Sequence, residues 1–444
     1  MTRLLAPLVA LLVTLVTARS AWAHAAPHST VLLDLHAGDV GAELRLPVPE
    51  LEAALGRPLL AEGDAIVERE REALLGLVTR DLHVASPAGV AWKVSVAALA
   101  YAVDDQVPVV VVQAMLEPPP GVAPRVFTVV DDVIGHEVPN HTAWIGVRTD
   151  FAGGLVSGPP SLVGITHYLH HTVLVDRRGG GVMAGFRAVF QLGMEHIAEG
   201  TDHLLFLLAL LLPAPLLVAG AGRRARWGAQ AGVRAGCARV LRIVTAFTVG
   251  HSLTLLVGTL GWLRLPGAPV ETLIAVSIVV SAVHALRPVF PGREAWVAGG
   301  FGLVHGLAFA GALAELHLEA SRLALALLGF NLGIEAMQLA VIAATFPWLL
   351  LLARTRLYSP LRVGGAVFAG VAALGWIAER ALHLSNPVDG VVRAIAGHPL
   401  LLLFSFALAA VAARVGDGLA LRVAGGTEEG GGARASLAPW DHRA

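Results

Sequence analysis

His196, Asp202 and His203 open the apolar run Leu204 to Leu212, which places two imidazoles and a carboxylate in or against a lipid bilayer. A charge at the centre of a membrane helix costs roughly 3 kcal/mol on insertion scales, so such residues face a protein interior and mark an ion or substrate path. Read as one continuous helix, Glu195, His196, Glu199, Asp202 and His203 fall on one face, within roughly 120° of arc. Imidazole nitrogen with carboxylate oxygen, and no thiolate, suits borderline divalent ions such as nickel, cobalt, zinc or manganese. Met194 and Met337 leave Cu(I) disfavoured but open. A bound cation requires deprotonated ligands, so its movement would shift protons on His196, Asp202, His203 and Glu335 and could couple to a proton gradient.

Other apolar stretches add polar groups that the same site could recruit. Thr245, Thr248, His251 and Ser252 share a face of a second stretch, and His305 stands between Gly302 and Gly306 on a fourth, where missing side chains give room to a neighbouring backbone. On a fifth, Asn331, Glu335 and Gln338 follow an i, i+4, i+7 pattern. Plainer roles stand beside these. Intramembrane hydroxyls commonly bond their own helix. A single buried histidine can serve as an interhelical hydrogen-bond partner, and the Asn–Glu–Gln stripe can be packing glue. The predicted metal set is His196, Asp202, His203, His251, His305 and Glu335, with Glu195, Glu199, Ser252, Asn331 and Gln338 in support.

The elements that carry these residues follow from composition. With 55% hydrophobic and 15% charged residues and a mean hydropathy of +0.69, the 444-residue chain is too apolar for an ordinary soluble protein. A net charge of −1 and the lack of a basic stripe with interleaved aromatics exclude a nucleic-acid partner. Lys93 is the only lysine and lies outside any glycine-rich phosphate loop, so no nucleotide cofactor is expected. The single cysteine, Cys237, excludes an internal disulfide framework and a thiolate metal site.

Arg3, the apolar Leu4 to Val16 and the small-residue site Ala21-Trp22-Ala23 read as a cleavable signal over 1–23, leaving His24 as the new N-terminus. From 24 to 181, β-rich runs at Val107–Leu116, Arg125–Val133 and Thr142–Val147 predict an extracytoplasmic β-sandwich-like domain with one helical insertion over Glu62–Leu82. His24 and His28, near the mature terminus, are a candidate external capture site, since an α-amine and its ring chelate together. Residues 182–415 predict an α-helical membrane bundle of about seven spans, beginning with Ala184–Leu212 and ending with Pro399–Ala413. Residues 416–444 read as a disordered tail. Arg223, Arg224, Arg226, Arg234 and Arg239 crowd the loop after the first span, and the positive-inside rule then puts the N-terminal domain outside the cytoplasmic (inner) membrane and the C-terminus inside.

His196 through His203 fits the H-x5-D-H signature of the HupE/UreJ family, and the membrane half from about Phe186 to Arg380 resembles that family. A second signature, F-H-G-x-[AV]-H-G-x-E, is matched at Gly302, Val304, His305 and Gly306, while Gly300, Phe301 and Ala308 depart from it. Phe247–Ser252, Val270-Glu271, Ser277-Ile278, Phe330 through Gln338, and Trp376 with Glu379-Arg380 resemble a branch of the family that carries an exported N-terminal domain. The resemblance implies a nickel permease, the metal being its cargo, and metalloenzyme maturation proteins (hydrogenase, urease) as partners. Three functions remain open from the residues: a divalent-cation transporter, an intramembrane zinc-dependent hydrolase with Glu195, Glu199 or Glu335 as base, and an accessory or sensory membrane protein. The first is favoured, with no catalytic residue assigned.

Overall fold

A computed structural model describes residues 28–429 except 105, 264, 315 and 317. The predicted signal peptide and His24 lie outside the described residues. The chain divides into two compact units: Met1–Thr149 with Pro159–Arg178, and Asp150–Gly158 with Gly179–Ala444.

The first unit is β-rich. Strands β1 (Ser29–Leu35) and β2 (Val40–Pro47) form an antiparallel hairpin, joined through β2 to β5 (Val107–Glu117). Alternation of apolar residues sets the register: Val31 pairs with Leu44 and Leu44 with Val112, all fully buried. With β4 (Lys93–Asp104), β7 (Thr142–Asp150) and β8 (Ser161–His167) these make a six-stranded sheet of order β4-β5-β2-β1-β7-β8. A second sheet of three strands has the order β3-β6-β9, with β3 at Leu82–Ala85, β6 at Val126–Asp131 and β9 at Thr172–Asp176. The predicted helical insertion is a 3-10 turn at Leu60–Ala65, then α2 (Ile66–Arg69) and α3 (Arg71–Asp81), which end where β3 begins. A further helix, α1 (Val48–Leu55), follows β2.

The second unit is helical. Its first expected span is not continuous: α4 (Val182–Glu199) and α5 (Thr201–Leu211) meet at Gly200, whose backbone is extended (φ −70°, ψ 91°). The remaining long helices are α6 (Val233–Thr259), α7 (Gly267–Leu286), α8 (Glu294–Ala314), α9 (Ala320–Leu352) and α10 (Tyr358–Leu382), followed by α11 (Pro387–Ala396) and α12 (Pro399–Glu429). Among the described residues five helices are long and apolar enough to cross a membrane: α6, α7, α9, α10 and the Pro399–Gly416 part of α12. The expectation of seven is therefore not met by length and composition. The interruption at Gly200 leaves α5 with eleven residues, and α4 carries Arg187, Glu195 and Glu199. Of the tail expected over 416–444, residues up to Glu429 continue α12, and 430–444 lie outside the described residues.

Glycines set the helix packing. A Cβ on Gly250 would stand 2.1 Å from Gly299 O, and on Gly302 2.1 Å from Phe247 O, so α6 and α8 approach backbone to backbone. Gly193 and Gly333 do the same for α4 and α9, where the added Cβ would meet Phe330 O at 2.2 Å and Phe190 O at 2.0 Å. These two close pairs hold the helices that carry His196, His251, His305 and Asn331.

Candidate intramembrane histidine site

The break at Gly200 creates the centre of the site. Gly200 N–H still donates to His196 O (3.2 Å), ending α4, and Gly200 O accepts from Leu204 N (3.0 Å), starting α5. A Cβ here would lie 2.6 Å from His196 O and 2.8 Å from His203 Nδ1, so only glycine lets the two half-helices come this close. His196, in the last turn of α4, and His203, in the first turn of α5, are brought edge to face with ring centres 4.6 Å apart. Asp202 lies in the first turn of α5, where backbone N–H groups favour a carboxylate.

His203 is the hub. Its Nδ1 and backbone N both stand 2.9 Å from Asp202 Oδ1, and its Nε2 is 3.3 Å from His305 Nδ1. His305 is fully buried, and its Nε2 lies 3.1 Å from Ser277 Oγ on α7. The result is a linear chain, Asp202–His203–His305–Ser277. It is satisfied link by link when His203 Nδ1–H donates to Asp202, His305 Nδ1–H to His203 Nε2, and the Ser277 hydroxyl to His305 Nε2. Ser277 Oγ is also 2.6 Å from Ile274 O, and its single hydrogen serves one of these two acceptors at a time.

His251 on α6 lies beside this chain, fully buried, with its ring 6.2 Å from that of His196. Among the described residues neither of its nitrogens makes a well-formed hydrogen bond, with Asn331 its polar neighbour, and the buried His196 Nε2 and Asn331 Oδ1 are likewise without one. Buried polar atoms without partners are rare and each one needs a reason. An aromatic wall surrounds them: Phe309 and Phe330 stack at 4.5 Å, with His196 4.6 Å from the first and 5.5 Å from the second, while Phe206 and Phe247 flank His305. Such a wall keeps water away and strengthens any charge interaction inside.

The predicted residues thus separate into groups. His196, Asp202, His203, His251 and His305 come together, with Asn331 at the edge. Gln338 accepts a hydrogen bond from Thr248 Oγ1 (3.3 Å), and Ser252 Oγ donates to Thr248 O (2.7 Å), so both take the plainer structural roles. Glu195 and Glu199 are exposed on α4, away from the buried rings, because the break at Gly200 ends the common stripe. Glu335 is half-buried and forms no hydrogen bond or ion pair with described residues. Among the described residues no three His, Cys, Asp or Glu side chains stand ready to hold one metal ion. The imidazoles face one another rather than a shared point. Ser277 stands outside the predicted metal set: its one signal is the Ser277-Ile278 resemblance, and nothing local ties a serine on α7 to a histidine on α8. In the N-terminal unit, His28 stacks on Trp144 (4.5 Å) and His141 Nδ1 is bonded to Glu50 Oε2.

Residues 172–380 match the family model described as HupE / UreJ protein, a span that holds every residue of the histidine cluster. That match is consistent with a HupE/UreJ family protein over the matched segment. The family is broadly related to nickel and cobalt transport. No curated protein and no solved structure matches the chain.

Proposed function

We propose that the HupE/UreJ-family unit carries a divalent transition-metal cation, nickel or cobalt first, across the cytoplasmic membrane through the His196–His203–His251–His305 cluster. One observation carries this reading: four imidazoles from α4, α5, α6 and α8 meet in a buried aromatic enclosure, and three of their nitrogens make no well-formed hydrogen bond among the described residues. Asp202 fixes His203 through Nδ1, which leaves Nε2 as the ligating atom in the manner of a carboxylate that orients a metal-binding imidazole. To reach a cation, His203 Nε2 and His305 Nδ1 must give up their mutual contact. That exchange lowers affinity and suits a carrier, which must release what it binds. Ligation requires neutral imidazoles, the form in which the Asp202–His203–His305–Ser277 chain already holds His203 and His305, so the cation meets ligands that need not first give up a proton. The N-terminal unit lies outside the membrane in this reading, and maturation proteins of metalloenzymes receive the ion inside. Cellular uptake of nickel and cobalt, normalised to protein in the membrane, tests the proposal. His203→Ala, His251→Ala and His305→Ala are each expected to lower uptake at least tenfold, whereas Glu199→Gln leaves it unchanged. Uptake at the wild-type level in all three histidine variants refutes it.

A further inference from the structure

A second polar site lies apart from the histidine cluster, at the end of the membrane unit where the loops carry arginines. A cavity of about 290 Å3 opens there, lined by Arg239 and Arg242 of α6, Val218 of the β10–β11 hairpin (Leu216–Ala219 and Arg226–Gln230), and Pro291, Gly292 and Glu294 at the turn into α8. The hairpin is pinned to this end because Trp227 Nε1–H donates to His284 O (3.0 Å). Arg239 is held in place as Nη1–H donates to Leu216 O (2.7 Å) and Ala214 O (3.4 Å). Arg242 spends only Nε–H, on Ala238 O of its own helix (3.2 Å). Its terminal nitrogens have no partner among the described residues. Two guanidiniums against the one carboxylate of Glu294 leave the cavity positive.

A small cavity adjoins the first and shares Arg239, Ile243 and Glu294 with it, and His284 lines it. His284 is 1% exposed, and its Nδ1 faces the backbone N–H groups of Val289 (3.2 Å) and Phe290 (3.4 Å). Nδ1 must therefore accept, and the ring hydrogen sits on Nε2. That nitrogen is buried, without a hydrogen-bond partner among the described residues, and 4.0 Å from Glu294 Oε1. It is a donor that faces the Glu294 carboxylate across a cavity of about 10 Å3, room for one water, and so it partly offsets that carboxylate's charge without reaching into the larger cavity. Trp296, 86% exposed and one residue after the cavity-lining Ala295, marks the depth at which lipid headgroups lie.

We infer that this cavity binds the phosphate of an anionic glycerophospholipid. Basic pockets between membrane helices take lipid headgroups, and the planar fork of arginine matches phosphate oxygens. The inference does not rest on the metal reading, since neither Arg239 nor Arg242 has a hydrogen bond to the histidine cluster among the described residues. Native mass spectrometry of the full-length protein in mild detergent, titrated with phosphatidylglycerol or with diacylglycerol, tests it. The wild type is expected to retain phosphatidylglycerol and no diacylglycerol, with retention about tenfold weaker in Arg242→Gln and only partly restored in Arg242→Lys, which keeps the charge and loses the fork. Arg242 has no hydrogen bond or ion pair to another element among the described residues, so its loss breaks no polar link between helices. Equal phosphatidylglycerol retention by the wild type and Arg242→Gln overturns the inference. Displacement of the lipid by an equal concentration of inorganic phosphate overturns the lipid assignment as well.

Discussion

Replacing Gly302 by alanine adds one methyl group, and is expected to disable the site without touching any of its polar atoms. The new Cβ would stand 2.1 Å from Phe247 O and 3.0 Å from His251 N, both backbone atoms of α6 that cannot rotate aside. Carbon and carbonyl oxygen approach comfortably at about 3.3 Å or more, so α6 and α8 must part by roughly 1 Å. His305 rides on α8, and its Nδ1 is 3.3 Å from His203 Nε2, so a shift of that size carries the pair beyond hydrogen-bond range. Overpacking of this kind costs about 1–3 kcal/mol in stability, and misplacing reacting groups by about 1 Å can cost on the order of 100-fold in rate. Gly300 is the internal control: it lies two residues earlier on the same helix, and an added Cβ there meets nothing within 4 Å. Uptake of nickel and cobalt, read beside membrane expression and melting temperature, should fall by one to two orders of magnitude in Gly302→Ala and stay unchanged in Gly300→Ala. Full transport by Gly302→Ala would show that the close approach of α6 and α8 does not position the histidines.

Three further outcomes are expected. Ser277→Ala leaves His305 Nε2 without its 3.1 Å partner, so it should change the pH profile of uptake while lowering the maximum less than His305→Ala does. Gly200→Ala should lower metal affinity and stability together, because its Cβ would crowd His203 Nδ1 at 2.8 Å and His196 O at 2.6 Å, and equilibrium dialysis with nickel reads the first effect. In the N-terminal unit, burial lifts the Asp131 carboxyl from 3.8 to about 6, against the pull of the Val133 N–H. At 1.36 kcal/mol per tenfold in proton affinity, the raised value is worth roughly 3 kcal/mol. The protonated form suits the folded state, so this contribution is present below pH 3.8 and is lost as the pH rises through about 6. Asp131→Asn should therefore stabilise the unit at pH 7.5 and do little at pH 4, as read by urea unfolding of variant and wild type at both values; equal stability at pH 7.5 would count against the buried charge.

Much of the site could be read from residue order, although partly for a different reason. The H-x5-D-H spacing marks His196, Asp202 and His203 as neighbours, but a continuous helical stripe would have included Glu195 and Glu199 as well. The structure instead breaks the helix at Gly200, which turns the two histidines toward each other and leaves both glutamates exposed. A glycine followed by Thr201 and Asp202 is a helix-start signal that competes with the periodicity on either side. Gly302 and Gly306 announce a close neighbour without saying which helix it is. The contact of His305 with Ser277 spans separate helices and leaves no local trace. In the N-terminal unit, alternation is enough to find β5, β6 and β7, because one face of each is buried. The order β4-β5-β2-β1-β7-β8 is not accessible in that way, since a period of two says which face is buried and nothing about which strand lies alongside.

The central claim is that the histidine cluster carries a divalent cation through the membrane, and flux into proteoliposomes that contain only this protein measures it directly. Isotopically labelled nickel or cobalt should accumulate with the wild type faster than in empty vesicles, and the rate should fall to the empty-vesicle level in His203→Ala. No flux of nickel, cobalt, zinc or manganese above empty vesicles, or equal flux in wild type and His203→Ala, would contradict the account.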